Sequence, residues 1–300
     1  MRFLLEGRPP YDFYLTMEKN FAIRRSERAF GDLFDGEKYC FAMRDPLCEV
    51  EVSFKGRTEE PSFEVEVFSD GLSNREESRV LKKTSMLLGT DEDLEQFYAL
   101  ADPTELRKTA DKLRGLHMLQ FNGLFNALVL GILLQNAPVR RSMDMFSFLS
   151  ERYARRTGLK GGLYLPLSAE DLRNASMDEL RAGKLGYRAG YVARLAERFD
   201  GPLENRIEQM GTEKAKDELM RFDGVGSYTA EFALFGSNKR GERRYDVFPI
   251  DSWSLGIYAG IFSIIEDRRE KAKALCRRHA EENFGTLMGL AFWYVMMSSF

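Results

Sequence analysis

The stretch that decides the fold is Leu219-Met220-Arg221-Phe222-Asp223-Gly224-Val225-Gly226-Ser227-Tyr228-Thr229-Ala230, which is followed by Val247-Phe248-Pro249-Ile250-Asp251. Gly224 and Gly226 bracket one apolar residue between two amphipathic stretches. Glycine suits a turn that needs a positive φ, or a backbone that another molecule approaches closely. The pattern therefore predicts a helix, a hairpin and a second helix over 219–230, and then a segment, 247–253, that holds one carboxylate in a fixed place.

This hairpin is suited to bind an anion. Because Gly224 and Gly226 carry no side chain, the free N–H groups at the start of the second helix, from Ser227 onward, can converge on a phosphate. The positive end of the helix dipole favours the same contact. Such contacts hold a duplex without reading its sequence. When it stands alone, however, a Gly-Val-Gly is explained equally well by a helix cap or a tight turn.

Two further stretches accompany the hairpin: Leu185-Gly186-Tyr187-Arg188-Ala189-Gly190-Tyr191 and Leu133-Leu134-Gln135-Asn136-Ala137-Pro138-Val139. The first resembles the Gly-Tyr-Arg-Ala-x-Tyr turn of the helix-hairpin-helix (HhH-GPD) DNA glycosylases, and the second lies where that superfamily has Gln-x-x-Ser-Val. With the hairpin and the Pro-x-Asp, the resemblance covers roughly residues 105–300. It implies a mainly α fold in which an antiparallel α+β subdomain precedes two helical subdomains. It also implies a partner, double-stranded DNA containing a damaged base.

The position of Tyr228 separates two branches of this superfamily. In its bifunctional members, including the 8-oxoguanine glycosylases, a lysine stands there and forms a Schiff base with the sugar. A phenol cannot form an imine, so we expect no lyase activity. The chain is most similar to the bacterial 3-methyladenine DNA glycosylase II branch, through Phe292-Trp293-Tyr294 and Pro9-Pro10-Tyr11-Asp12-Phe13. That resemblance places Tyr228, Phe232, Trp293 and Tyr294 in the base pocket.

Asp251 is the predicted catalytic residue. Breaking an N-glycosidic bond develops positive charge on the sugar, so a catalyst needs an ionised carboxylate near the anomeric carbon. Pro249 fixes the preceding backbone, and N-cap hydrogen bonds can hold Asp251 at a helix start. The carboxylate would stabilise the oxocarbenium ion, orient a water, or both. A purely capping aspartate is the alternative interpretation of this position.

The leaving group determines what else is needed. A cationic alkylated base already carries positive charge, so no strong general acid is required. Such a base can be recognised by stacking on electron-rich rings, with about 0.5–2 kcal/mol for each cation–π contact. Aromatic residues at helical spacing more often form an ordinary core than a ligand cage, and Phe232 could do both.

The resemblance also implies residues that contact DNA. These are Gln135, Asn136, Arg188, Gly224, Gly226 and Ser227. Asn136 occupies the position of the wedge that fills the gap left by the extruded nucleotide. Asparagine there is typical of the 8-oxoguanine branch, whereas leucine is typical of the alkylation-repair branch. Asp223, where the hairpin usually has proline, places a carboxylate beside the expected phosphate site.

A monovalent cation, Na⁺ or K⁺, is implied at the hairpin, held by the backbone carbonyls of Met220, Phe222 and Val225. No other cofactor is expected. The three cysteines, Cys40, Cys48 and Cys276, lack metal-ligand spacing, which excludes the four-cysteine iron–sulfur cluster of one branch of the superfamily. The two histidines, His117 and His279, lie on no motif and are interpreted as structural.

Composition limits the function less sharply. The chain has 300 residues, 44% of them apolar, and a net charge of −3, so any DNA surface must be a local basic patch. Candidate patches are Arg140 with Arg141, Lys184 with Arg188, and Lys239 with Arg240, Arg243 and Arg244. The start of the chain does not resemble a signal peptide, and no apolar run is long enough to span a bilayer. We expect a cytoplasmic, nucleoid-associated monomer without membrane contact.

The chain changes periodicity near residue 100. Period-2 alternation over 39–43, 48–54 and 62–68 predicts half-buried antiparallel strands, and a helix is predicted over 75–88, ended by Gly89. Residues 1–100 are thus a predicted α+β subdomain and residues 101–300 a helical body. Within the body, Ser168 and Ser176 are predicted N-caps, and 157–165 and 237–245 are predicted loops.

The favoured hypothesis is a monofunctional base-excision DNA glycosylase for alkylated or deaminated purines. One alternative is an 8-oxoguanine-type glycosylase without lyase activity, favoured by Asn136 and disfavoured by Tyr228. The other is a non-catalytic DNA-binding protein that has kept the hairpin, which the intact Asp251 argues against.

Overall fold

The structure, a computed structural model, describes residues 1–24, 31–239 and 241–299. An antiparallel sheet lies at the N-terminal end, with strand order β1-β5-β4-β3-β2. Its strands are β1 (Arg2–Glu6), β2 (Asp32–Phe34), β3 (Lys38–Arg44), β4 (Leu47–Phe54) and β5 (Ser62–Phe68). The three predicted strands are confirmed as β3, β4 and β5. The two outer strands, β1 and β2, are additions that the sequence did not predict.

Two helices cover one face of this sheet. They are α1 (Phe13–Arg24) and α2 (Asn74–Leu88). Val50, Val52 and Val65 point into a shared core with Phe13 and Leu87, all of them fully buried. The predicted helix over 75–88 is confirmed as α2, and Gly89 ends it with φ +75°. The alternation of the strands thus correctly indicates one packed face.

The opposite face of the sheet is not simply exposed to water. Leu163 and Leu165, in the loop after the sixth helix, pack against Ala42 of β3. Glu49 on β4 is 2% exposed and accepts hydrogen bonds from the N–H of Leu163 at 2.8 Å, the N–H of Gly161 at 2.5 Å and the hydroxyl of Thr157. The predicted loop over 157–165 is therefore a cover for the sheet, fixed by a buried carboxylate.

The rest of the chain is a helical body. Its helices are α3 (Glu95–Ala101), α4 (Arg107–Lys112), α5 (Leu124–Leu133), α6 (Val139–Tyr153), α7 (Ala169–Leu172), α8 (Met177–Ala182), α9 (Arg188–Arg198), α10 (Gly201–Gln209), α11 (Thr212–Leu219), α12 (Ser227–Phe235), α13 (Ser252–Ile261), α14 (Arg269–Phe284) and α15 (Met288–Met297). Ser168 and Ser176 cap α7 and α8 through capping boxes, as predicted. A short hairpin of β6 (Asn238–Lys239) and β7 (Glu242–Arg243) lies within the predicted loop over 237–245.

The helices pack in two groups. Helices α5 to α12 form one, in which α5 lies against α12, and α13, α14 and α15 form the other together with α3 and α4. The mainly α fold with an N-terminal antiparallel sheet is confirmed. Because α3 packs on α14 and α15, residues 95–101 belong with the helical body, close to the predicted boundary. Among the described residues, no helix has the length and hydropathy needed to cross a membrane.

Glu49→Ala should destabilise the protein by about 2–4 kcal/mol, because it leaves three buried donors without an acceptor. Urea unfolding measures the loss. Glu64→Ala on the neighbouring strand is the matched control. Its ion pair with Lys55 is 3.9 Å long and partly exposed, so the expected cost is below about 1 kcal/mol. Equal effects of the two substitutions would contradict the assignment of Glu49 as the anchor of the loop.

Candidate active site

A cavity of about 480 Å³ lies where the two groups of helices meet. Its wall is mainly aromatic rings, methionines and aliphatic side chains. The lining residues are Asn20, Met118, Leu119, Phe121, Leu130, Leu134, Ala137, Pro138, Val139, Met143, Tyr228, Phe232, Phe235, Gly236, Pro249, Asp251, Trp253, Ser254, Phe292, Trp293, Met296 and Met297. Asp251 is the one charged residue of this wall within the described chain. As far as the described residues line it, the cavity is therefore an apolar chamber with a single carboxylate.

The segment that leads to Asp251 is held on several sides. Tyr245 accepts the Gly289 N–H on its carbonyl at 2.7 Å, and Arg277 donates to the Phe248 carbonyl at 3.1 Å. A Cβ at Gly289 would lie 2.7 Å from the Val247 carbonyl oxygen, so only glycine lets α15 approach this closely. The position of Asp251 is consequently set by α14 and α15 as well as by its own helix.

Glu92 provides a second anchor for the same segment. Its carboxylate accepts from the Tyr245 hydroxyl at 2.9 Å and pairs with Arg243 at 2.5 Å and with His117 at 2.9 Å. Burial alone raises the pKa of Glu92, but Arg243, His117 and Tyr245 outweigh burial and lower it below its usual value. His117 also contacts the Pro10 carbonyl at 3.1 Å. This buried network ties the segment before Asp251 to the N-terminal subdomain.

Asp251 is both a helix cap and a wall of the cavity. Its Oδ1 accepts from the N–H of Trp253 at 3.0 Å, and from the N–H and hydroxyl of Ser254 at 2.8 and 2.7 Å. No hydrogen bond from any described residue reaches Oδ2. Asp251 can therefore cap the helix and also line the cavity, because the cap uses Oδ1 and leaves Oδ2 without a bond to a described residue.

Tyr228 and Phe232 lie one turn apart on α12 and both line the cavity. Their rings stack with centroids 6.1 Å apart and an interplanar angle of 28°. Burial, and then the nearby charge of Asp251, raises the pKa of Tyr228 above its usual value, so the phenol stays protonated. The structure therefore brings these two predicted residues together with Asp251.

The C-terminal helix corrects one prediction. Trp293 lines the cavity, but Tyr294 does not. Tyr294 is fully buried on the other side of α15, where its hydroxyl donates to the Leu116 carbonyl at 2.9 Å and lies 3.0 Å from the Tyr98 hydroxyl. A buried phenol needs a hydrogen-bond partner, and the apolar cavity offers few. Tyr294 is thus a core residue, and the predicted pocket position was wrong.

Trp253 is a cavity residue that the sequence reasoning missed. It stands two residues after Asp251, lines the cavity and is 52% exposed. The available signal was its position at the second residue of a helix capped by the predicted catalytic aspartate. Phe121, Phe235 and Phe292 also line the wall without having been predicted.

The hairpin forms as predicted, with one difference between its glycines. Gly224 has φ +82°, and a Cβ there would lie 2.3 Å from the ring of Tyr191. Gly226 is extended, with φ −90° and ψ −180°, and a Cβ there would meet open space. Gly226 caps α12 without a side-chain bond, so the first N–H groups of α12, from Ser227 onward, are free of capping side chains.

Three sequence motifs meet at Gly224, and one predicted DNA contact is corrected there. Gln135 donates to the Gly224 carbonyl at 2.6 Å and to the Thr229 hydroxyl at 3.1 Å. Arg188 is 6% exposed and donates to the Gln135 carbonyl at 3.0 Å and to the Leu185 carbonyl at 3.3 Å. Arg188 is therefore buried and holds the loop together rather than facing a ligand, so its predicted contact with DNA was wrong. Gln135 also holds the loop together, but it is partly exposed, and its contact with DNA stays a prediction.

Asn136 is presented by this loop. It is exposed, has φ +48°, and donates to the Tyr187 hydroxyl at 3.2 Å. Tyr187 is 53% exposed beside it. Asp223, in the hairpin itself, pairs with Arg194 at 2.7 Å. The positive charge of Arg194 thus offsets the negative charge of the Asp223 carboxylate beside the expected phosphate site.

Only some of the predicted basic patches reach the surface. Arg243 and Arg244 are buried, and Arg244 donates to the Ile207 carbonyl at 2.7 Å, so their expected surface role was wrong. Arg140, Arg141 and Lys184 are exposed, and Arg141 donates to the Lys184 carbonyl at 3.4 Å. Arg240 lies outside the described residues.

The predicted cation ligands differ in their hydrogen bonding. The Phe222 carbonyl accepts the Val225 N–H at 3.0 Å, whereas the Met220 and Val225 carbonyls accept no hydrogen bond from a described residue. Oxygen ligands of this kind suit a hard cation. The cation itself stays a prediction. Among the described residues, no cluster of three or more His, Cys, Asp or Glu side chains is arranged to hold a metal ion.

Comparison with solved structures identifies the fold. The chain superimposes on the 3-methyladenine DNA glycosylase of Archaeoglobus fulgidus with a TM-score of 0.80 and 21% identity, covering 99% of both chains. It superimposes on the 8-oxoguanine glycosylase/lyase of Clostridium acetobutylicum with a TM-score of 0.74 and 18% identity, covering 99% of this chain and 95% of that one. A 3-methyladenine DNA glycosylase of Schizosaccharomyces pombe, in complex with abasic DNA, matches 68% of this chain and 95% of its own, with a TM-score of 0.54 and 16% identity.

No family model and no curated protein matches the sequence. At identities this low, the structural similarity establishes the fold. The fold predicted from the hairpin motifs, that of the helix-hairpin-helix DNA glycosylases, is confirmed.

Gly224→Ala should destabilise the protein by roughly 2–4 kcal/mol, because it combines a positive φ with a clash against Tyr191. Gly226→Ala is the matched control, since its backbone is extended and its Cβ would meet open space; its stability should stay within about 0.5 kcal/mol of wild type. Thermal or urea unfolding of both variants measures the difference. Wild-type stability of Gly224→Ala would show that the hairpin is not built as described.

Proposed function

We propose that this chain is a monofunctional DNA glycosylase, acting as a monomer, that hydrolyses the N-glycosidic bond of alkylated or deaminated purines in duplex DNA. One observation carries the proposal: the Asp251 carboxylate, with Oδ2 uncommitted among described residues, lies in the wall of an aromatic cavity beside Tyr228. The shared fold with DNA glycosylases supports it. The clostridial enzyme has also been determined in complex with double-stranded DNA.

Binding to duplex DNA would begin at the hairpin. The free N–H groups at the start of α12, beginning at Ser227, can donate hydrogen bonds to a phosphate, and the helix dipole favours its negative charge. Gly226 leaves the approach unobstructed, since nothing lies where its Cβ would be. We infer that the exposed Asn136, with Tyr187 beside it, enters the stack once the nucleotide has turned out.

The cavity wall suits a flat, positively charged base. Tyr228, Phe232 and Trp293 offer ring faces, and no described Lys, Arg or His lines the wall. Stacking of a cation on each face contributes about 0.5–2 kcal/mol. An alkylated purine would therefore be stabilised by the wall and by the charge of Asp251, whereas a cationic side chain in the wall would have repelled it.

Asp251 would supply the chemistry. As the C1′–N9 bond breaks, the sugar becomes positively charged, and a fixed carboxylate stabilises that charge without reorganising. Oδ1 is occupied by the cap, which leaves Oδ2 to face the sugar or to orient the attacking water. Because Tyr228 stands where a Schiff-base lysine would be, the proposed reaction is hydrolysis without strand cleavage.

A second candidate function is release of 8-oxoguanine without lyase activity. The exposed Asn136, held at a positive φ beside Tyr187, favours it, as does the fold shared with an 8-oxoguanine glycosylase/lyase. The two candidates make opposite predictions on a panel of duplexes containing 7-methylguanine, 3-methyladenine, hypoxanthine, uracil and 8-oxoguanine. Release of the methylated purines supports the first, and release of 8-oxoguanine alone supports the second.

The same panel separates a catalyst from a DNA-binding protein without activity. A chain that binds duplex DNA but releases no base from any of these duplexes would be non-catalytic. Borohydride trapping tests the absence of a lyase step. A covalent enzyme–DNA adduct would contradict the role given to Tyr228.

Asp251→Asn should lower the rate of base release by at least about a hundredfold, because it removes the negative charge next to C1′. Asparagine is an equally good N-cap, so α13 and the fold should be preserved. Single-turnover excision and DNA binding by fluorescence anisotropy are the two measurements. Binding should be close to wild type. Near-normal excision by this variant would refute the catalytic assignment.

Trp293→Ala should weaken recognition of a methylated base, since it removes one ring face of the cavity; a loss of about 0.5–2 kcal/mol corresponds to a factor of roughly 2 to 30 in kcat/KM. Tyr294→Phe is the control on the same helix, because its ring lies outside the cavity. Excision of 7-methylguanine at limiting substrate measures both. An unaffected Trp293→Ala variant would remove the main support for recognition by stacking.

A further inference from the structure

We propose that the Tyr228 hydroxyl is a catalytic hydrogen-bond donor to the departing base, and that it extends excision from cationic bases to neutral purines such as hypoxanthine. The inference rests on the proposed glycosylase function and assigns to Tyr228 a role beyond that of a ring face.

Among the side-chain oxygens of the described cavity wall, this hydroxyl is the donor that is free to bind a base. Asn20 uses both amide hydrogens on the carbonyls of Thr16 and His117, and its oxygen accepts the Leu119 N–H. Ser254 donates to Asp251 and accepts the Asp251 N–H at 2.8 Å.

Two side-chain oxygens of the wall differ from these. Tyr228 Oη and Asp251 Oδ2 form no hydrogen bond with any described residue. Neither atom is among the unpartnered polar atoms that are fully buried, so both are accessible. Both atoms are thus open to the cavity. One is a donor and the other an anionic acceptor, which is the pair of functions that hydrolysis of a neutral nucleoside needs.

The Tyr228 phenol is held in place by its backbone and by one ring contact. Tyr228 is the second residue of α12, so its backbone is fixed at the end of the hairpin, and the ring stacks on Phe232. Burial and the charge of Asp251 raise the pKa of Tyr228, which keeps the hydroxyl protonated throughout the neutral range. A protonated phenol donates a hydrogen bond without losing its proton.

The reaction balances with this assignment. The C1′–N9 bond breaks with its electron pair moving onto the purine ring, a water oxygen bonds to C1′, and Asp251 accepts a proton from that water. When the base is neutral, it departs as an anion, and a ring nitrogen that gains charge accepts the hydrogen bond from Tyr228. The base then takes one proton from solvent, and Asp251 returns one to solvent.

A cationic base behaves differently. Loss of the bond leaves 7-methylguanine or 3-methyladenine neutral, so no negative charge accumulates on the ring and the hydroxyl adds little. The effect of removing the hydroxyl must therefore depend on the charge of the lesion. A residue that only fills space, or only supports the hairpin, would affect both kinds of lesion equally.

Tyr228→Phe tests this, because it removes the oxygen and keeps the ring. Single-turnover excision at saturating enzyme should fall roughly tenfold or more on hypoxanthine duplexes. On 7-methylguanine duplexes the loss should be smaller, no more than about threefold, because phenylalanine keeps the ring face that stacks on a cationic base. Tyr14→Phe is the matched control, since Tyr14 is 51% exposed on α1 and does not line the cavity. It should leave both rates unchanged.

The outcomes separate this inference from the proposed function. Wild-type release of 7-methylguanine together with a loss confined to hypoxanthine supports both. Wild-type release of 7-methylguanine with equal effects of Tyr228→Phe on the two lesions, or with no hypoxanthine release at all, overturns the inference and leaves the glycosylase proposal standing. If the wild-type protein releases neither base, the proposed function fails, and the inference fails with it.

Discussion

The candidate site depends on one helix cap, in which Asp251 Oδ1 accepts hydrogen bonds from the N–H groups of Trp253 and Ser254. A carboxylate on a free loop would sample many rotamers and lose its position. Here the cap fixes one oxygen, and the geometry of the carboxyl group then fixes the other. The orphan N–H groups of α13 need an acceptor in any case. The fold therefore orients the Asp251 carboxylate through an interaction that the stability of α13 already requires.

The other elements maintain this arrangement. Gly289 allows α15 to lie against the segment before Asp251, Arg277 bonds to the Phe248 carbonyl, and Glu92 holds Tyr245 and Arg243. None of these residues lines the cavity. The two groups of helices meet around the segment, so the cavity forms at their junction. Substitutions in this supporting layer would alter the site without touching any bound molecule.

The sequence predicted the fold well where a motif has a backbone requirement. The hairpin needs a positive φ at Gly224, and the capping boxes at Ser168 and Ser176 need one side chain each. Such local requirements can be predicted from the sequence alone. The same is true of Asp251, whose cap and pocket positions are both consequences of one short segment.

The sequence was less informative where the direction of a side chain matters. Arg188 and Gln135 belong to motifs correctly aligned with the hairpin, yet their polar groups turn inward to backbone carbonyls. Tyr294 follows Trp293 directly on α15, yet it does not line the cavity and bonds to the Leu116 carbonyl. Arg244 looked like surface charge, but it bonds to a buried carbonyl. A motif fixes the chain path, whereas tertiary packing decides which face each side chain occupies. Trp253 went unnoticed for the same reason.

The location of the tryptophans has a spectroscopic consequence. The chain contains two, Trp253 and Trp293, and both line the cavity. Intrinsic indole emission is consequently a local signal, free of background from elsewhere in the molecule. Trp253 stands half in water while Trp293 is more enclosed, so the two emitters report on the mouth and the interior of one chamber. The protein thus carries its own optical probe of whatever enters there.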